Sequence, residues 1–463
     1  MKVVQRHCSP RWSRLPLLPE YEEASCPNMG DCAVEFLTAN RVRRILPAMT
    51  DSGKGISNSS MNIWKSLRGL PRDVWVLSLA SLINRAGTMV LPFLVLYLTR
   101  ELGFSVASAG VALGVYGIGS IIVSPVAGKL SDVTGPLPIM RVSLIGTGIL
   151  LLVFPFVRSY AGILAITLAW ALISECFRPA TLALVASIVT PEQRKPAYAL
   201  VRLAINLGMS IGPAAAGFLA ARSFGWIFIV DGATTIAAGI VLIAVPFAAA
   251  KSFASERDAR SAQRSPEPSP PIFGDRRMLL FLVAIFLTGV VFFQHEGPLS
   301  LFLVQDLGLS PAFYGALFTI NTLMIVFMEV PLNGATAQWP HARALALGSF
   351  LFAVGTGAFA FATGPGTIIF GVVIWTFGEM MLFPQAAAYV AEIAPPARRG
   401  AYMGAYSLAF NISFAVGPWA GTVAFARYGA RALWLSVFAI GVVSALMMTQ
   451  VAASAVEVEP STA

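Results

Sequence analysis

The stretch from Pro179 to Gly217 returns in recognisable form farther along the chain, and this duplication constrains the fold more than any other feature. Four matches share one spacing of 205 positions: Pro179 with Pro384, Arg194 with Arg399, Asn206 with Asn411, and Gly212-Pro213 with Gly417-Pro418. Upstream residues such as Gly103 and Gly308 keep the same offset. The sequence therefore predicts two similar halves.

The composition indicates a polytopic membrane protein. Hydrophobic residues make up 56% of the chain and charged residues only 12%, whereas soluble domains have roughly a quarter charged residues. The formal net charge of +9 comes from Lys and Arg spread over short loops and the N-terminal segment. These basic residues are topology signals, so we expect no nucleic-acid partner.

Twelve apolar runs are long enough, at about 20 residues, to cross a bilayer as helices. The predicted spans are 74–99, 106–127, 137–157, 161–187, 196–221, 225–249, 278–303, 311–333, 342–362, 366–390, 399–424 and 431–452. The predicted domains are a disordered cytoplasmic extension (1–60, with Met61 as an alternative start), two six-helix bundles (61–250 and 278–452), a cytoplasmic linker (251–277) and a tail (453–463).

Basic residues in the loops predict the orientation, because positively charged loops stay in the cytoplasm. One side carries sixteen Lys and Arg residues and the other carries five, which places both termini in the cytoplasm. Each half has an even number of spans, so the halves share one orientation and are related by a pseudo-two-fold axis along the membrane normal. The predicted fold is an all-α polytopic membrane protein with twelve transmembrane helices in two six-helix bundles.

Two motifs and the duplication resemble the major facilitator superfamily over nearly all of residues 62–452. The loop from Gly128 to Gly135, which contains Asp132, is similar to that family's G-x-L-x-D-x-x-G loop. Span 5 ends in Gly208-Met209-Ser210-Ile211-Gly212-Pro213 followed by Gly217, similar to the motif of the twelve-span drug:proton antiporters. The resemblance implies secondary transport by alternating access. Two departures stand out, since Pro136 and Leu137 replace the usual basic pair and span 4 lacks the exporters' early arginine.

These motifs also have direct physical interpretations. Asp132 at the end of span 2 can accept hydrogen bonds from a helix N-terminus or an arginine and so stabilise one closed state. Small residues let helices approach closely, and a proline bends a helix. We therefore expect close packing at Gly208, Gly212, Pro213 and Gly217, and at their copies Gly417 and Pro418.

Nine ionisable residues lie inside the apolar spans, where each costs about 3 kcal/mol unless water or a partner relieves it. They are Arg85, Glu175, Arg178, Arg202, Asp231, His295, Glu296, Glu329 and Glu379. Six of the nine lie in spans 1, 4, 7 and 10, which line the central cavity in the resembled family. We expect a polar cavity between the halves, and structural pairing for Arg202, Asp231 and Glu329.

A carboxyl group in a partly dry cavity can bind and release a proton as its exposure changes. Glu379 and Glu296 are the predicted coupling residues, with Glu175 next. Glu175 and Arg178 are three residues apart, hence on one helix face, and can form a pair, whereas the adjacent His295 and Glu296 are expected to diverge. The predicted substrate contacts are Arg85, Arg178, His295, Asn84, Gln294, Trp375 and Gln385.

Two sequence features bear on functions other than transport. Gly208 to Gly212 matches the G-x-S-x-G of a hydrolase elbow, but it lies inside an apolar span and not at a strand-to-helix turn. The chain has no P-loop for ATP coupling. We therefore predict no enzyme. Proton-driven export of small amphipathic compounds is favoured; nutrient uptake, of a peptide or sugar, and a non-transporting sensor remain alternatives.

The expected partners follow from that function. They are a small-molecule substrate, protons and the lipid bilayer of the cell (inner) membrane, with the chain acting as a monomer. The proton gradient takes the place of a cofactor. No metal site is expected, since the four cysteines lack paired spacing.

Overall fold

The computed structural model describes residues 69–190, 193–247, 274–395 and 398–456, and every regular element within these ranges is helical. In chain order the helices are α1 Arg72–Ala86, α2 Val90–Leu96, α3 Val106–Thr134, α4 Pro136–Val153, α5 Tyr160–Ser174, α6 Phe177–Ile188, α7 Arg194–Ala220, α8 Phe224–Ala244, α9 Arg276–Phe292, α10 Pro298–Leu301, α11 Pro311–Ala335, α12 His341–Gly357, α13 Pro365–Ile393 and α14 Arg399–Val456. The predicted extension 1–60, most of the linker and the end of the tail lie outside the described residues.

Eleven helical stretches in the described ranges are long and apolar enough to span a membrane. Ten coincide with predicted spans 1 to 10 to within a few residues. The eleventh, Ala401–Val451, holds both predicted spans 11 and 12 in 51 residues. Gly429 interrupts it with φ 78° and ψ 172°, a backbone conformation that suits glycine. Helix α14 also continues to Val456, beyond the predicted start of the tail, and α9 begins within the predicted linker.

The duplication is visible in local backbone structure. Gly103 and Gly308 both have positive φ, at 71° and 63°. Two residues later, Ser105 and Ser310 cap the N-termini of α3 and α11, each accepting a hydrogen bond from the backbone N–H three residues on. Five-residue π-helical segments precede both turns. The two copies therefore share turns, caps and helix distortions at matching positions.

Helices from the first copy pack mainly on one another, and so do those of the second. In the first copy α1 packs on α7 and α8, and α4 packs on α8; in the second, α9 packs on α14, and α12 packs on α13 and α14. Two seams join the copies, one between α7 and α11 and one between α3 and α14.

Glycines permit the closest helix contacts. A Cβ on Gly212 would lie 2.8 Å from the Thr88 carbonyl oxygen, and one on Gly217 would lie 2.6 Å from Ala312 Cα. Gly208 is equally close to α1, with 2.6 Å between its hypothetical Cβ and Arg85 Cβ. The glycines of α7 thus allow this helix to pack closely against α1 and, across the seam, against α11.

The α7–α11 seam carries polar contacts along its length. The Thr319 hydroxyl donates to the Ser210 carbonyl over 2.6 Å. Farther along, Arg202 and Glu329, predicted to have structural partners, form an ion pair with each other at 2.5 Å. Because each bond joins one copy to the other, relative movement of the copies must rearrange this seam.

We expect Gly212→Leu to destabilise the protein by about 1–3 kcal/mol or more, because the side chain would overlap the α1 backbone. The matched control is Gly404→Leu in α14, where a hypothetical Cβ has no neighbouring atom within 4 Å. Thermal unfolding followed by size-exclusion chromatography measures both. Equal melting temperatures for wild type and Gly212→Leu would show that α7 and α1 are not closely packed.

Candidate functional site

Three predicted spans are interrupted where their ionisable residues lie. Span 1 breaks at 87–89 between α1 and α2, span 4 at Glu175-Cys176 between α5 and α6, and span 7 at 293–297 between α9 and α10. An interruption frees backbone N–H and C=O groups that side chains can then satisfy. The breaks in spans 1 and 7 occupy matching positions of the duplication.

A carboxylate from a neighbouring helix binds the backbone N–H groups that the break in span 1 leaves free. Asp231 Oδ2 accepts hydrogen bonds from the backbone N–H groups of Met89 and Val90, each over 3.0 Å. Thr235 donates to the other carboxylate oxygen over 3.4 Å, and Asn84 donates to Thr235 over 3.3 Å. Asp231 therefore anchors the N-terminus of α2, where the helix dipole favours negative charge.

The break in span 4 separates a pair that the sequence allowed. Glu175 follows the last residue of α5 and accepts a 2.9 Å hydrogen bond from the Tyr116 hydroxyl, whereas Arg178 is exposed on α6. The two side chains form no ion pair. The pair that the spacing allows does not form here, because the three-residue rule requires a continuous helix and the chain leaves the helix at Glu175-Cys176.

The break in span 7 brings His295 and Glu296 together. His295 Nε2 lies 3.3 Å from Glu296 Oε1, and both side chains are buried. The prediction that these neighbours diverge is wrong, since residues 293–296 form a 3₁₀ turn and not an α-helix. The Tyr314 hydroxyl lies 2.7 Å from the His295 carbonyl oxygen and 3.2 Å from that of Pro92, which links the two matching breaks.

Glu379 lies on α13, opposite a polar residue of α11. Asn321 Nδ2 donates to Glu379 Oε2 over 2.8 Å and lies 3.0 Å from the Thr376 hydroxyl. Both residues line a cavity of about 150 Å³, here called the seam cavity, together with His295, Trp375, and Asn206 and Met209 of α7. The seam cavity therefore brings titratable residues of the second copy against a helix of the first.

Two further cavities adjoin each other in the interior. A polar cavity of about 100 Å³ lies within the first copy and is lined by Asn84, Arg85, Tyr116, Thr147, Glu175, Arg178 and Asp231. A larger cavity of about 430 Å³, here called the central cavity, lies between the copies and is lined by Glu175, Arg178, Phe292, Phe383, Tyr406 and Phe410. Glu175 and Arg178 belong to both linings. Phe292 also lines the seam cavity, so its ring lies between the central cavity and the titratable residues His295 and Glu379.

The remaining predicted site residues are distributed around these cavities. Gln294 is buried and donates to the Val290 and Gly417 carbonyls over 2.8 Å and 2.9 Å, which places it in helix packing. Gln385 is half-buried on α13 and is not among the residues that line the three cavities. The side chain of Asp132 falls outside the described part of the chain.

Gly135 ends α3 with φ 83°, and α4 begins at the next residue. Gly128 lies within α3, before this turn. In α14, Gly417 faces α9, where a hypothetical Cβ would lie 3.1 Å from the Val290 carbonyl oxygen, and Pro418 follows it within the helix. This contact between α14 and α9 mirrors the packing of α7 on α1.

Several residues of the site were missed by the sequence reasoning, and three of them form hydrogen bonds there. Asn321, Tyr116 and Tyr314 are uncharged at neutral pH, so a search for charged residues passes over them. Asn321 gave a usable signal, because an amide side chain in an apolar span needs a hydrogen-bond partner.

Comparisons with known proteins agree with this architecture. The family model described as Major Facilitator Superfamily matches residues 77–304 and 297–462. The chain is 25% identical over 373 residues to an uncharacterized MFS-type transporter, YqjV of Bacillus subtilis, covering 80% of this chain and 90% of that protein. It is 21% identical to a Na(+), Li(+), K(+)/H(+) antiporter of Planococcus maritimus, covering 73% of this chain and 85% of the relative. The quinolone resistance protein NorA of Staphylococcus aureus is 24% identical and matches half of this chain and 61% of its own length.

A solved structure shares the fold. A POT family transporter crystallised with 5-aminolevulinic acid superimposes with a TM-score of 0.69 at 14% identity, covering 84% of this chain and 97% of that structure. The duplicated helices, the cavities between them and the family match across most of the chain lead to one conclusion. The chain is a multi-pass membrane transporter, not an enzyme, and it belongs to the major facilitator superfamily.

Proposed function

We propose that the protein exports small amphipathic compounds in exchange for protons, by alternating access between two six-helix bundles. The observation that carries this proposal is the position of Glu379, whose carboxylate faces the seam cavity beside Asn321 and close to His295. A proton bound to Glu379 therefore changes the charge at the surface where one copy packs on the other.

The bundle arrangement requires twelve spans. At 1.5 Å per residue, a continuous helix of the length of Ala401–Val451 would extend about 75 Å, more than twice the roughly 30 Å of a bilayer core. Gly429 divides it into two segments that are each long enough to cross. With twelve spans both termini lie on one side, and the basic residues of the loops favour the cytoplasmic side of the cell membrane.

The closest backbone contacts across the α7–α11 seam lie at one end, although the Arg202–Glu329 ion pair bridges the seam nearer the other. The opening that we propose is that of the central cavity. Gly217 meets Pro311 and Ala312, and Pro213 meets Gly315, all where α7 ends and α11 begins. At the opposite end, Leu182 and Ser407 line the central cavity and are exposed. In the proposed orientation this open end faces the cytoplasm, from which an exporter takes its substrate.

Coupling of transport to protons follows from the different interactions that protonated and ionised Glu379 make with their neighbours. An ionised carboxylate accepts the Asn321 hydrogen bond strongly and attracts a protonated His295, whereas a neutral carboxyl group does neither to the same extent. A proton drives the conformational change only if it binds the two states with different affinities. The exposure of Glu379 to the seam cavity, which must change as the seam rearranges, provides such a difference.

Two directions of transport, export and uptake, are candidates. The glycine-proline ending of α7 resembles that of proton-driven exporters, and an H(+) antiporter and a resistance protein are among the relatives. Uptake of a peptide or similar nutrient is the second candidate, because the POT family structure shares the fold. Cellular accumulation of dyes and antibiotics, with and without a proton uncoupler, distinguishes them: export predicts low accumulation that rises when the gradient is dissipated.

We expect Glu379→Gln to keep the shape of the site and to abolish its titration. Proton-driven transport in proteoliposomes should fall by about tenfold or more, while substrate binding survives. The matched control is Glu392→Gln on the same helix, since Glu392 is exposed and pairs with His341 outside the cavities. Glu296→Gln is expected to act in the same direction as Glu379→Gln. Intact substrate-induced proton flux in both Glu379→Gln and Glu296→Gln would move the proton site elsewhere, with Glu175 the next residue to test, or would exclude proton coupling.

A further inference from the structure

The ionisable residues of the two copies are arranged differently around the central cavity. On the side of the second copy, the seam cavity contains Glu379 and His295, with Glu296 beside His295. On the side of the first copy, the polar cavity contains two arginines, Arg85 and Arg178. The two arginines have no counterpart in the seam cavity.

Both arginines lack an ionic partner among the residues that the structure describes. The two carboxylates nearby already have other donors, since Asp231 accepts from the α2 N-terminus and Glu175 accepts from Tyr116. Arg85 Nε is buried and forms no hydrogen bond within the described ranges. A guanidinium group at membrane depth is costly unless it faces water or an anion. Arg178 is exposed at the opening and Arg85 is half-buried behind it, so an anion that reaches both would gain two charge-assisted contacts.

An independent observation points to the same cavity. The Thr147 hydroxyl lines the polar cavity, its side chain is more than nine-tenths buried, and its oxygen has no hydrogen-bond partner among the described residues. Buried hydroxyl groups are normally paired, so this one has capacity for a ligand or a water molecule. Thr147 and the two arginines provide donors of the kind that bind a carboxylate.

The adjoining central cavity has an aromatic wall. Phe383 and Phe410 pack edge to face with ring centroids 5.4 Å apart, and Phe292 lies 5.3 Å from Phe383. Arg178 and Glu175 line both cavities, so a molecule can place an anionic end by the arginines and a ring system against these phenylalanines. The volume of about 430 Å³ suits a compact two-ring molecule.

We propose, on the basis of the proposed transport function, that the substrate is an amphipathic organic anion whose carboxylate or similar group binds Arg178 and Arg85 while its aromatic body packs on Phe383 and Phe410. The first copy then recognises the substrate's charge and the second copy binds the proton. Cationic amphiphiles are poorer substrates than anions, because Glu175 and Asp231 are already bound by Tyr116 and by the α2 N-terminus whereas the two arginines are not.

A matched pair of probes tests this assignment. Tritiated 1-naphthaleneacetate and 1-naphthaleneacetamide have the same ring system and nearly the same shape, but only the first is an anion. We expect saturable binding of naphthaleneacetate to the full chain in nanodiscs, at least about tenfold tighter than that of the amide, since charge-assisted hydrogen bonds are stronger than neutral ones.

Arg178→Gln removes the exposed guanidinium group and should weaken naphthaleneacetate binding by about tenfold or more, with a smaller loss of amide binding. Residual saturable amide binding also shows that the variant is folded. Arg222→Gln, an exposed arginine between α7 and α8, is the control and should behave as wild type. Equal affinity of wild type for both probes, no saturable binding of naphthaleneacetate, or no effect of Arg178→Gln would each overturn the proposal.

Transport assays distinguish failure of the anion site from failure of proton-coupled export. Proton-dependent transport of neutral or cationic dyes that is insensitive to Arg178→Gln would refute the anion site and leave proton-coupled export standing. Naphthaleneacetate transport that depends on Arg178 but not on a proton gradient would support the anion site and refute proton coupling.

Discussion

Ionisable side chains within apolar helices require partners, and this requirement shapes the interior of the protein. Asp231 is satisfied by backbone N–H groups that become available only because span 1 is broken at 87–89. The same device recurs in span 7, where a turn brings His295 against Glu296, and in span 4, where Glu175 follows the end of α5. In these three spans helix interruption and charge placement therefore coincide, whereas Glu379 lies within a continuous helix.

Duplication supplied two similar scaffolds that now differ in chemistry. The turns at Gly103 and Gly308 and the caps at Ser105 and Ser310 are common to both copies, as is the seating of α7 on α1 and of α14 on α9. The side chains exposed to the cavities are not shared. In the function that we propose, the separation of Arg85 and Arg178 from His295, Glu296 and Glu379 places substrate recognition and proton binding on opposite sides of the central cavity, with Phe292 at the boundary.

The sequence predicts the helices well, because a bilayer requires long apolar runs and leaves few alternatives. The repeat, the intramembrane charges and the ends of ten spans all follow from residue type and spacing. The pairing of those charges does not, since the three-residue rule applied to Glu175 and Arg178 assumes a continuous helix. The interruptions depend on tertiary partners such as Asp231, which is distant in sequence from the backbone that it caps. Gly297-Pro298 was a local signal for one of them, as Pro298 lacks an N–H and suits the start of a helix.

The central claim is that protonation at the seam changes which side of the protein is open. Electron–electron double resonance between spin labels at Leu182 and Leu408, both exposed on opposite copies, measures the opening directly in nanodiscs after replacement of the native cysteines. We predict a distance distribution that shifts between acidic and alkaline buffer in the parent chain, and one that stays at the acidic distribution in Glu379→Gln. The same pH-dependent shift with and without Glu379 would contradict the account.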